Sequence, residues 1–260
     1  MAEVRLPISV CIIASNEAQR IRRTLESVAG WTCEIIVVLN ADVNDGTDKI
    51  AESFGAEVFR EPWKGFISQK NSAGEKCSQA WLLNLDADEV VTPELQNEIA
   101  HTVSRGDAPF AAYEFPRCAF YCGRWIRHGD WYPDRVRRLW RRGVAHWGGE
   151  EPHARLEVSG KTGRLHSDLL HFTNESIERH ISKISFNQAA FVWRHVAAGK
   201  SAGFLELAVR PSWRFIRAYF LRLGFLDGWQ GFYIAKLSAF STLTRYAMVR
   251  EAEQEQRDFR

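Results

Sequence analysis

Apolar segments of strand length alternate with helical patterns through roughly the first hundred residues of this chain. Short apolar runs occupy residues 8–14, 34–39, 57–59 and 80–85. Between them, apolar side chains recur every three or four positions, which predicts helices, whereas the runs themselves predict buried strands. Because a strand–helix–strand order places successive strands parallel in one sheet, the pattern predicts an α/β fold with a doubly wound, mostly parallel sheet.

The regular alternation ends near residue 105, and helical patterns take over from Ser176. Two further strands are predicted in between, at residues 112–116 and 136–140. The expected organisation is a first domain over residues 1–173, with halves at about 1–105 and 106–173, and a helical C-terminal region over residues 174–260.

Composition narrows the class of protein. With 260 residues, 45% of them hydrophobic and 25% charged, the chain resembles a soluble globular protein. A formal net charge of +2 argues against a dedicated nucleic-acid-binding protein. The five cysteines are odd in number and scattered, which favours reduced thiols in the cytoplasm. No segment has the roughly 18 uncharged apolar residues that would cross a bilayer.

The apolar run at residues 80–85 ends in two carboxylates one residue apart, Asp86 and Asp88. Ligands of parallel sheets collect at the carboxyl ends of the strands, so both side chains are expected at a binding edge. Two neighbouring carboxylates repel each other unless a cation lies between them, and Mg²⁺ or Mn²⁺ holding a diphosphate meets that need. The alternative is a solvated acidic turn that precedes a helix beginning at Pro93.

Polar side chains also follow the first two predicted strands. They are Ser15, Asn16 and Glu17 after the first strand, and Asn40 and Asp42 after the second. Their oxygens and amides suit the base and ribose of a nucleotide, and Lys70, in a predicted helix, suits a sugar or phosphate. Together with Asp86 they predict a nucleotide-sugar site, although a surface lysine is the commoner explanation for Lys70 taken alone. The chain contains neither a P-loop nor a dinucleotide motif.

Seven sequence motifs carry a resemblance to a known family. They are SVCIIASNE (9–17), NADVNDGT (40–47), WKGFISQKN (63–71), LNLDADE (83–89), WYPDRVRRLWRR (131–142), DLLHF (168–172) and GFLDGWQG (224–231). In this order they resemble the inverting GT-A glycosyltransferases of family 2, in the branch that contains lipopolysaccharide core glucosyltransferases. One position departs from the family pattern, because Asn40 stands where relatives usually have Asp.

The resemblance implies a GT-A fold, a nucleotide-sugar donor that is usually a UDP-sugar, and a divalent cation, Mg²⁺ or Mn²⁺, at Asp86 and Asp88. It implies a hexosyltransferase that moves a sugar to a cell-envelope glycan or lipid-linked acceptor such as lipopolysaccharide core. Two other classes stay open: a nucleotidyltransferase of similar fold, and a non-catalytic module that binds a nucleotide or lipid.

An inverting transfer needs a carboxylate base on the face opposite the leaving diphosphate. Glu150 and Glu151 lie in a glycine-containing segment after the metal motif, and we expect Glu151 to be the base. Asp134 is the second candidate, with the alternative that it pairs with Arg137 or Arg138. Many relatives carry an acid directly after the equivalent of His153, where this chain has Ala154.

Aromatic faces pack on sugars and arginine binds phosphate or carboxylate, so an acceptor site is expected at Trp131, Tyr132, Arg138 and His153. His166 and His171 have no partners at the spacing of metal ligands. A structural, hydrogen-bonded role is expected for both.

The C-terminal region contains a predicted amphipathic helix. Arg210, Arg214 and Arg217 recur on one face, and the other face carries Phe215, Ile216, Tyr219, Phe220 and Leu223. This pattern is typical of a helix in an anionic membrane surface, and it predicts peripheral attachment to the inner face of the cytoplasmic membrane. A helix docked on the protein with a solvated basic face is the alternative.

Overall fold

The computed structural model describes residues 5–105, 109–151, 153–174 and 176–258. The chain forms two compact units. The first contains Met1–Arg117 and Asp134–His171, and the second contains Cys118–Pro133 and Phe172–Arg260. Residues 118–133, which fall inside the first domain expected from the sequence, thus belong to the second unit.

Twelve strands and seven α-helices form the regular structure of the described residues. The strands are β1 Leu6–Ala14, β2 Thr32–Asn40, β3 Glu57–Glu61, β4 Trp81–Asp86, β5 Glu89–Val91, β6 Ala112–Tyr121, β7 Arg124–Ile126, β8 Asp134–Arg141, β9 Ala145–Glu150, β10 His153–Val158, β11 Thr162–Arg164 and β12 Leu169–Asn174. The helices are α1 Ile21–Glu26, α2 Thr47–Ser53, α3 Phe66–Glu75, α4 Pro93–Ser104, α5 Ile177–Ala197, α6 Arg210–Ile216 and α7 Gly228–Asp258.

The main sheet has the order β3-β2-β1-β4-β8-β6-β12-β5. Its first four strands are parallel, and they are the four strands predicted from the apolar runs. Beyond β4, strand β8 lies between β4 and β6 and pairs antiparallel with both. The predicted α/β fold with a doubly wound sheet and a helical C-terminal region is confirmed. The short strands β5, β7 and β9–β12 are not predicted from the sequence.

Side chains of the central strands alternate between two cores. Val10 and Ile12 of β1 belong to a core with residues of α1, α2 and α4, whereas Cys11 between them belongs to a core with α3 and the β9–β10 hairpin. Because successive side chains of a strand point to opposite faces, each strand is covered on both sides. This burial explains the nearly continuous apolar runs, and it leaves the strand ends as the place for polar residues.

Two buried carboxylates organise the second unit. Asp227 is 2% exposed and accepts hydrogen bonds from the backbone N–H groups of Arg127 and His128. Its other oxygen lies 3.0 Å from Nδ1 of His128. Both bonds join the turn Gly224–Asp227 to the segment that follows β7, so Asp227 fixes the start of α7.

The second carboxylate, Asp130, has a side chain that is 4% exposed and is surrounded by three guanidinium groups. Nitrogen atoms of Arg214, Arg217 and Arg222 lie 3.0, 2.7 and 3.2 Å from its oxygens. The sequence predicts that the arginines of α6 face lipid or solvent. In the structure, Arg214 and Arg217 instead contact Asp130, whereas Arg210 pairs with Glu206 and is 54% exposed.

Helix α6 is continuous with a π-helical turn at each end, Leu205–Val209 before it and Arg217–Leu221 after it. We call these residues together the helical segment around α6. None of the helices in the described residues combines the length and apolar composition that a membrane span requires.

Two glycines, Gly224 and Gly231, allow the two ends of the GFLDGWQG motif to approach each other closely. A Cβ atom on Gly231 would lie 1.9 Å from the carbonyl oxygen of Gly224, far inside contact distance. We therefore expect Gly231→Ala to force a backbone shift and to destabilise the protein by about 1–3 kcal/mol or more, measured as a lower midpoint of thermal unfolding. Gly30→Ala is the control, because a Cβ atom there has no heavy atom within 4 Å. Equal midpoints for the two variants would contradict the close approach.

Candidate functional site

A cleft of about 870 Å³ opens in the first unit at the carboxyl ends of β1, β2 and β4. Five of the seven side chains predicted for the nucleotide sugar line it: Ser15, Glu17, Asn40, Lys70 and Asp86. Asn16 and Asp42 are exposed and lie outside its lining. Asn16 Oδ1 accepts a hydrogen bond from the backbone N–H of Asn44 at 3.3 Å. Parallel strands thus gather most of the predicted residues at one edge, as expected.

Asp86 is held between two cationic side chains. Its Oδ1 accepts a hydrogen bond from Lys70 Nζ at 2.8 Å, and its Oδ2 accepts one from Arg138 at 2.5 Å. Both cations also contact Asn84 Oδ1, at 3.5 Å from Lys70 and 2.7 Å from Arg138. The two oxygens of Asp86, a predicted metal ligand, are therefore already engaged by protein groups.

Arg138 continues this network to a fully buried glutamate. It donates to Oε1 of Glu89 at 2.9 Å, and Arg117 donates to the same oxygen at 3.0 Å. Glu89 Oε2 accepts from the backbone N–H of Asp86 at 2.9 Å. Arg117 in turn donates to Oδ2 of Asp134 at 2.6 and 2.9 Å. Charges alternate along this chain, so each buried ion has a partner of opposite sign.

A β-bulge places Arg138 in this network. Strand β8 pairs with β6 through Leu139 opposite Tyr113, but the next residue of β6, Glu114, lies opposite Arg137. Tyr113 and Glu114 are adjacent on β6, but their partners on β8, Leu139 and Arg137, are two positions apart. Arg138 is therefore the extra residue of the bulge. Bulges change the direction of a side chain, and here the change coincides with the burial of Arg138, which is 4% exposed. Arg138, which the sequence predicts at the acceptor site, lines the cleft and pairs with Asp86.

The network shifts the pKa of its members. Burial raises the pKa of Asp86, but the charges of Arg138 and Lys70 outweigh it and hold the pKa well below its usual range. Burial lowers the pKa of Lys70 against the opposing charge of Asp86. For Arg138 the charges of Asp86 and Glu89 overcome burial, and its pKa is raised. Asp86 is therefore a carboxylate and Arg138 a cation at neutral pH.

Trp147 forms one wall of the cleft. Lys70 Nζ lies 4.6 Å from the centre of its ring, a cation–π distance. The side chain of Asn71 fixes the backbone of Trp147. Its Nδ2 donates to the Trp147 carbonyl oxygen and its Oδ1 accepts from the Trp147 N–H group, both at 2.8 Å. The indole Nε1 is buried and has no hydrogen-bond partner among the described residues. A buried donor in the wall of a cleft is suited to a polar group of a ligand.

Asp88 lies beside His171. The distance from Asp88 Oδ1 to His171 Nε2 is 3.4 Å, and the side chains are 18% and 14% exposed. Arg20 lies on the other side of Asp88, with an N–O distance of 3.7 Å, and also pairs with Glu17 at 3.1 Å. No cluster of three or more His, Cys, Asp or Glu side chains suited to a metal occurs in the described ranges.

The side chain of Glu151 is hydrogen-bonded to the first turn of α3. Its Oε1 accepts a hydrogen bond from the backbone N–H of Ile67 at 2.8 Å. Gly65, which precedes the helix with a φ of +89°, permits the contact because a Cβ atom there would lie 2.7 Å from that oxygen. Glu151 therefore stands next to Phe66, which lines the cleft. Ala154, on the strand that follows, also lines it.

The remaining predicted residues lie elsewhere. Glu150 is exposed at the end of β9, and the side chain of His153 lies outside the described part of the structure. Asp134 pairs with Arg117, rather than with Arg137 or Arg138. Trp131 and Tyr132 belong to the second unit, where the ring of Trp131 packs 5.3 Å from that of Tyr121.

Cationic side chains dominate the charged lining of the cleft. Its arginines and lysine are Lys70, Arg117, Arg135, Arg137, Arg138 and Arg155, and its acidic residues are Glu17, Asp86 and Asp88. Arg135, Arg137 and Arg155 are exposed to solvent. This excess of positive charge favours an anionic ligand such as a diphosphate.

Four side chains of the site are not identified from the sequence: Glu89, Arg117, Trp147 and His171. Glu89 is the one charged residue in the short strand E-V-V, and His171 follows two leucines in D-L-L-H-F. A charged or titratable residue inside an apolar strand signals a buried partner. The signal does not identify the partner, because Glu89 and Arg117 are 28 residues apart in sequence.

Comparison with known proteins gives one family model, two relatives in sequence and one similar solved structure. The family model described as Glycosyl transferase family 2 matches residues 9–156. An uncharacterized glycosyltransferase of Rickettsia prowazekii is 32% identical, over 94% of this chain and 87% of the relative. The lipopolysaccharide core biosynthesis glycosyltransferase LpsC of Rhizobium meliloti is 28% identical over 94% of both chains. Among solved structures, S. aureus TarS 1–349 in complex with UDP aligns with a TM-score of 0.49 and 13% identity, over 96% of this chain and 91% of that one.

The buried network predicts a large difference between two neighbouring arginines. Arg138→Met removes the cation shared by Asp86 and Glu89, so we expect the free energy of unfolding to fall by about 3–5 kcal/mol. Arg137→Met is the matched control on the same strand, because Arg137 is exposed and donates only to the carbonyl oxygen of Leu156 among the bonds described. We expect it to cost less than about 1 kcal/mol in urea unfolding. Similar losses in both variants would show that the network contributes little.

Proposed function

The chain belongs to glycosyltransferase family 2, and we propose that it transfers a sugar from a UDP-sugar to a cell-envelope acceptor with inversion at the anomeric carbon. The acceptor class is a glycan or lipid-linked sugar such as lipopolysaccharide core. The observation that carries the proposal is the cleft at the end of β4, where Asp86 and Asp88 lie among cationic side chains. The similarity to LpsC supports the acceptor class.

The donor is proposed to lie along the ends of β1, β2 and β4. Ser15 and Asn40 offer hydrogen-bonding groups to the nucleoside, and the Asn40 amide accepts from a base N–H group as the more common Asp does. Lys70 and Arg138 hold the carboxylate of Asp86 in a fixed position at the edge of the cleft. Its negative charge is paired with these two cations, so we propose that Asp86 contacts the donor without binding a metal.

The residues at the end of β4 fit a divalent cation, with one change from the sequence-based expectation. We assign Asp88 and His171 as its ligands, because their oxygen and nitrogen atoms lie 3.4 Å apart whereas both oxygens of Asp86 are engaged. A carboxylate with an imidazole suits Mn²⁺, and Mg²⁺ or Mn²⁺ commonly takes its other ligands from substrate phosphates and water. When bound, such an ion offsets charge on the leaving diphosphate.

Glu151 is proposed as the base that removes the proton of the acceptor hydroxyl. An alcohol is a weak nucleophile at neutral pH, so the reaction requires a carboxylate positioned by the protein. The hydrogen bond from Ile67 fixes Glu151 next to the cleft. Asp134 is the weaker candidate, because two hydrogen bonds from Arg117 already occupy its Oδ2.

Family membership favours sugar transfer over the two other classes that the sequence leaves open. A nucleotidyltransferase would release pyrophosphate or a nucleotidyl product, and a binding module would release nothing. A glycosyltransferase releases free UDP when an acceptor is present, which measures the proposed reaction directly. We also include contact with the inner face of the cytoplasmic membrane in the proposal, since a lipid-linked acceptor would be found there.

The metal assignment predicts which variants lose cation-dependent donor binding. We expect Asp88→Asn and His171→Ala each to lower the Mn²⁺-dependent affinity for UDP at least about tenfold in calorimetry, because each removes one of two protein ligands. Affinity without Mn²⁺ should change little in either variant.

A second carboxylate–imidazole pair provides the matched control. His146 and Glu157 lie 3.3 Å apart on the surface, with side chains 70% and 52% exposed. His146→Ala and Glu157→Gln should leave UDP affinity unchanged. Retention of full Mn²⁺-dependent binding by Asp88→Asn would refute the assignment of Asp88.

The base assignment predicts a loss of turnover without a loss of donor binding. Glu151→Gln keeps a carbonyl oxygen for the Ile67 N–H group but cannot take a proton. We expect turnover to fall roughly 100-fold or more, with UDP affinity nearly unchanged. Turnover is measured as UDP released upon addition of lipopolysaccharide core acceptor.

Glu150→Gln and Asp134→Asn are the comparison variants. Glu150 was also predicted as a catalytic candidate, and it neighbours Glu151 in the same hairpin, so a small effect of Glu150→Gln would exclude a general effect of lost charge. If Asp134→Asn abolishes turnover while Glu151→Gln stays active, the base is Asp134.

A further inference from the structure

The helical segment around α6 carries its apolar side chains on the outside. Val209, Trp213, Ile216 and Phe220 recur at intervals of four, three and four residues, which places them along one face of the helix. All four are exposed, Trp213 by 54% and Phe220 by 53%. The opposite side contains Pro211 and Ala218, which are buried, and the arginines that contact Asp130. This arrangement is the reverse of an ordinary surface helix, whose apolar side faces the core.

The apolar stripe continues onto the following turn and α7. The ring of Tyr219 lies 5.1 Å from that of Phe220, 6.2 Å from Phe225 and 5.5 Å from Phe232. Phe225 and Phe232 are themselves 44% and 43% exposed. We use the name apolar face for Val209, Trp213, Ile216, Phe220, Phe225 and Phe232. A contiguous group of exposed aromatic and aliphatic residues on a folded unit marks a docking surface.

The charge around the apolar face is mostly positive. Residues 206–250 contain seven Lys and Arg residues and two acidic residues, Asp227, which is buried, and Glu206, which pairs with Arg210. Arg214, Arg217 and Arg222 contribute three positive charges against the one negative charge of Asp130, a local excess of two. Their side chains remain 39%, 35% and 51% exposed. Asp130 thus fixes three guanidinium groups that are still accessible to phosphate.

We infer that the apolar face inserts into the headgroup region of an anionic phospholipid bilayer. Trp and Phe side chains suit the boundary between headgroups and acyl chains, and the net positive charge of this helical segment suits anionic lipid headgroups. A second copy of the chain is a poorer occupant, because a two-fold contact would bring two positive rims together. The inference deepens the membrane contact in the proposed function, and its test measures binding alone, independently of sugar transfer.

Co-sedimentation of the full chain with vesicles tests the inference. The parent protein should bind vesicles of phosphatidylglycerol and phosphatidylcholine, bind phosphatidylcholine alone more weakly, and lose binding as salt screens the arginines. The triple change Trp213→Ser, Ile216→Ser and Phe220→Ser should lower the partition coefficient at least about tenfold. Its thermal midpoint should stay near that of the parent, since the three side chains are exposed.

Trp193→Ser is the matched control. Trp193 is 72% exposed and lies on α5, outside the apolar face, so its replacement should leave vesicle binding unchanged. A parent protein that stays in the supernatant with both vesicle types would overturn the inference, as would equal losses in the triple and control variants. A parent that instead dimerises with increasing concentration, and a triple variant that remains monomeric, would assign the face to a second copy.

Discussion

The ion pairs of Arg138 connect the parts of the first unit on which the site depends. This one side chain contacts Asp86 at the end of β4, Glu89 in β5 and Asn84 within β4, while it belongs to β8. It therefore joins the parallel half of the sheet to the antiparallel half at the edge of the cleft. Buried ions require partners, so Lys70, Glu89 and Arg117 are constrained by the same network. The position of Asp86 follows from these contacts rather than from its own strand alone.

The same network gives the two aspartates of the D-A-D sequence different surroundings. Asp86 faces protein cations and is fixed, whereas Asp88 faces His171 and Arg20 and is less engaged. The two carboxylates are one residue apart, yet their surroundings assign them different chemistry. The cationic residues along the remaining wall then provide the attraction for an anionic donor, with Trp147 as a rigid aromatic surface beside them.

The parallel half of the fold was predictable because each of its strands is buried on both faces and each helix has a clear apolar stripe. The carboxyl-end rule then placed Ser15, Asn40 and Asp86 in one cleft. The antiparallel half was not predictable to the same degree, since strands such as β5 have three residues and β9 contains two consecutive glycines. Partners such as Arg117 and Asp134 meet through tertiary structure, which local sequence does not encode. Arg214 and Arg217 show the same limit: their spacing was clear, but both contact Asp130, which is more than 80 positions away in sequence.

The bulge in β8 makes the site depend on the number of residues in a strand as well as on their identity. Tyr113 and Glu114 are neighbours on β6, and their partners on β8 are separated by the single extra position of Arg138. Deletion of that position would restore a regular ladder and would remove the guanidinium group without leaving a gap in the sheet. An insertion on the other side would rotate every later residue of β8 to the opposite face. A change in the length of β8 therefore alters the site as much as a substitution of Arg138 does. When related chains are aligned, the position of this extra residue should be matched before individual side chains are compared.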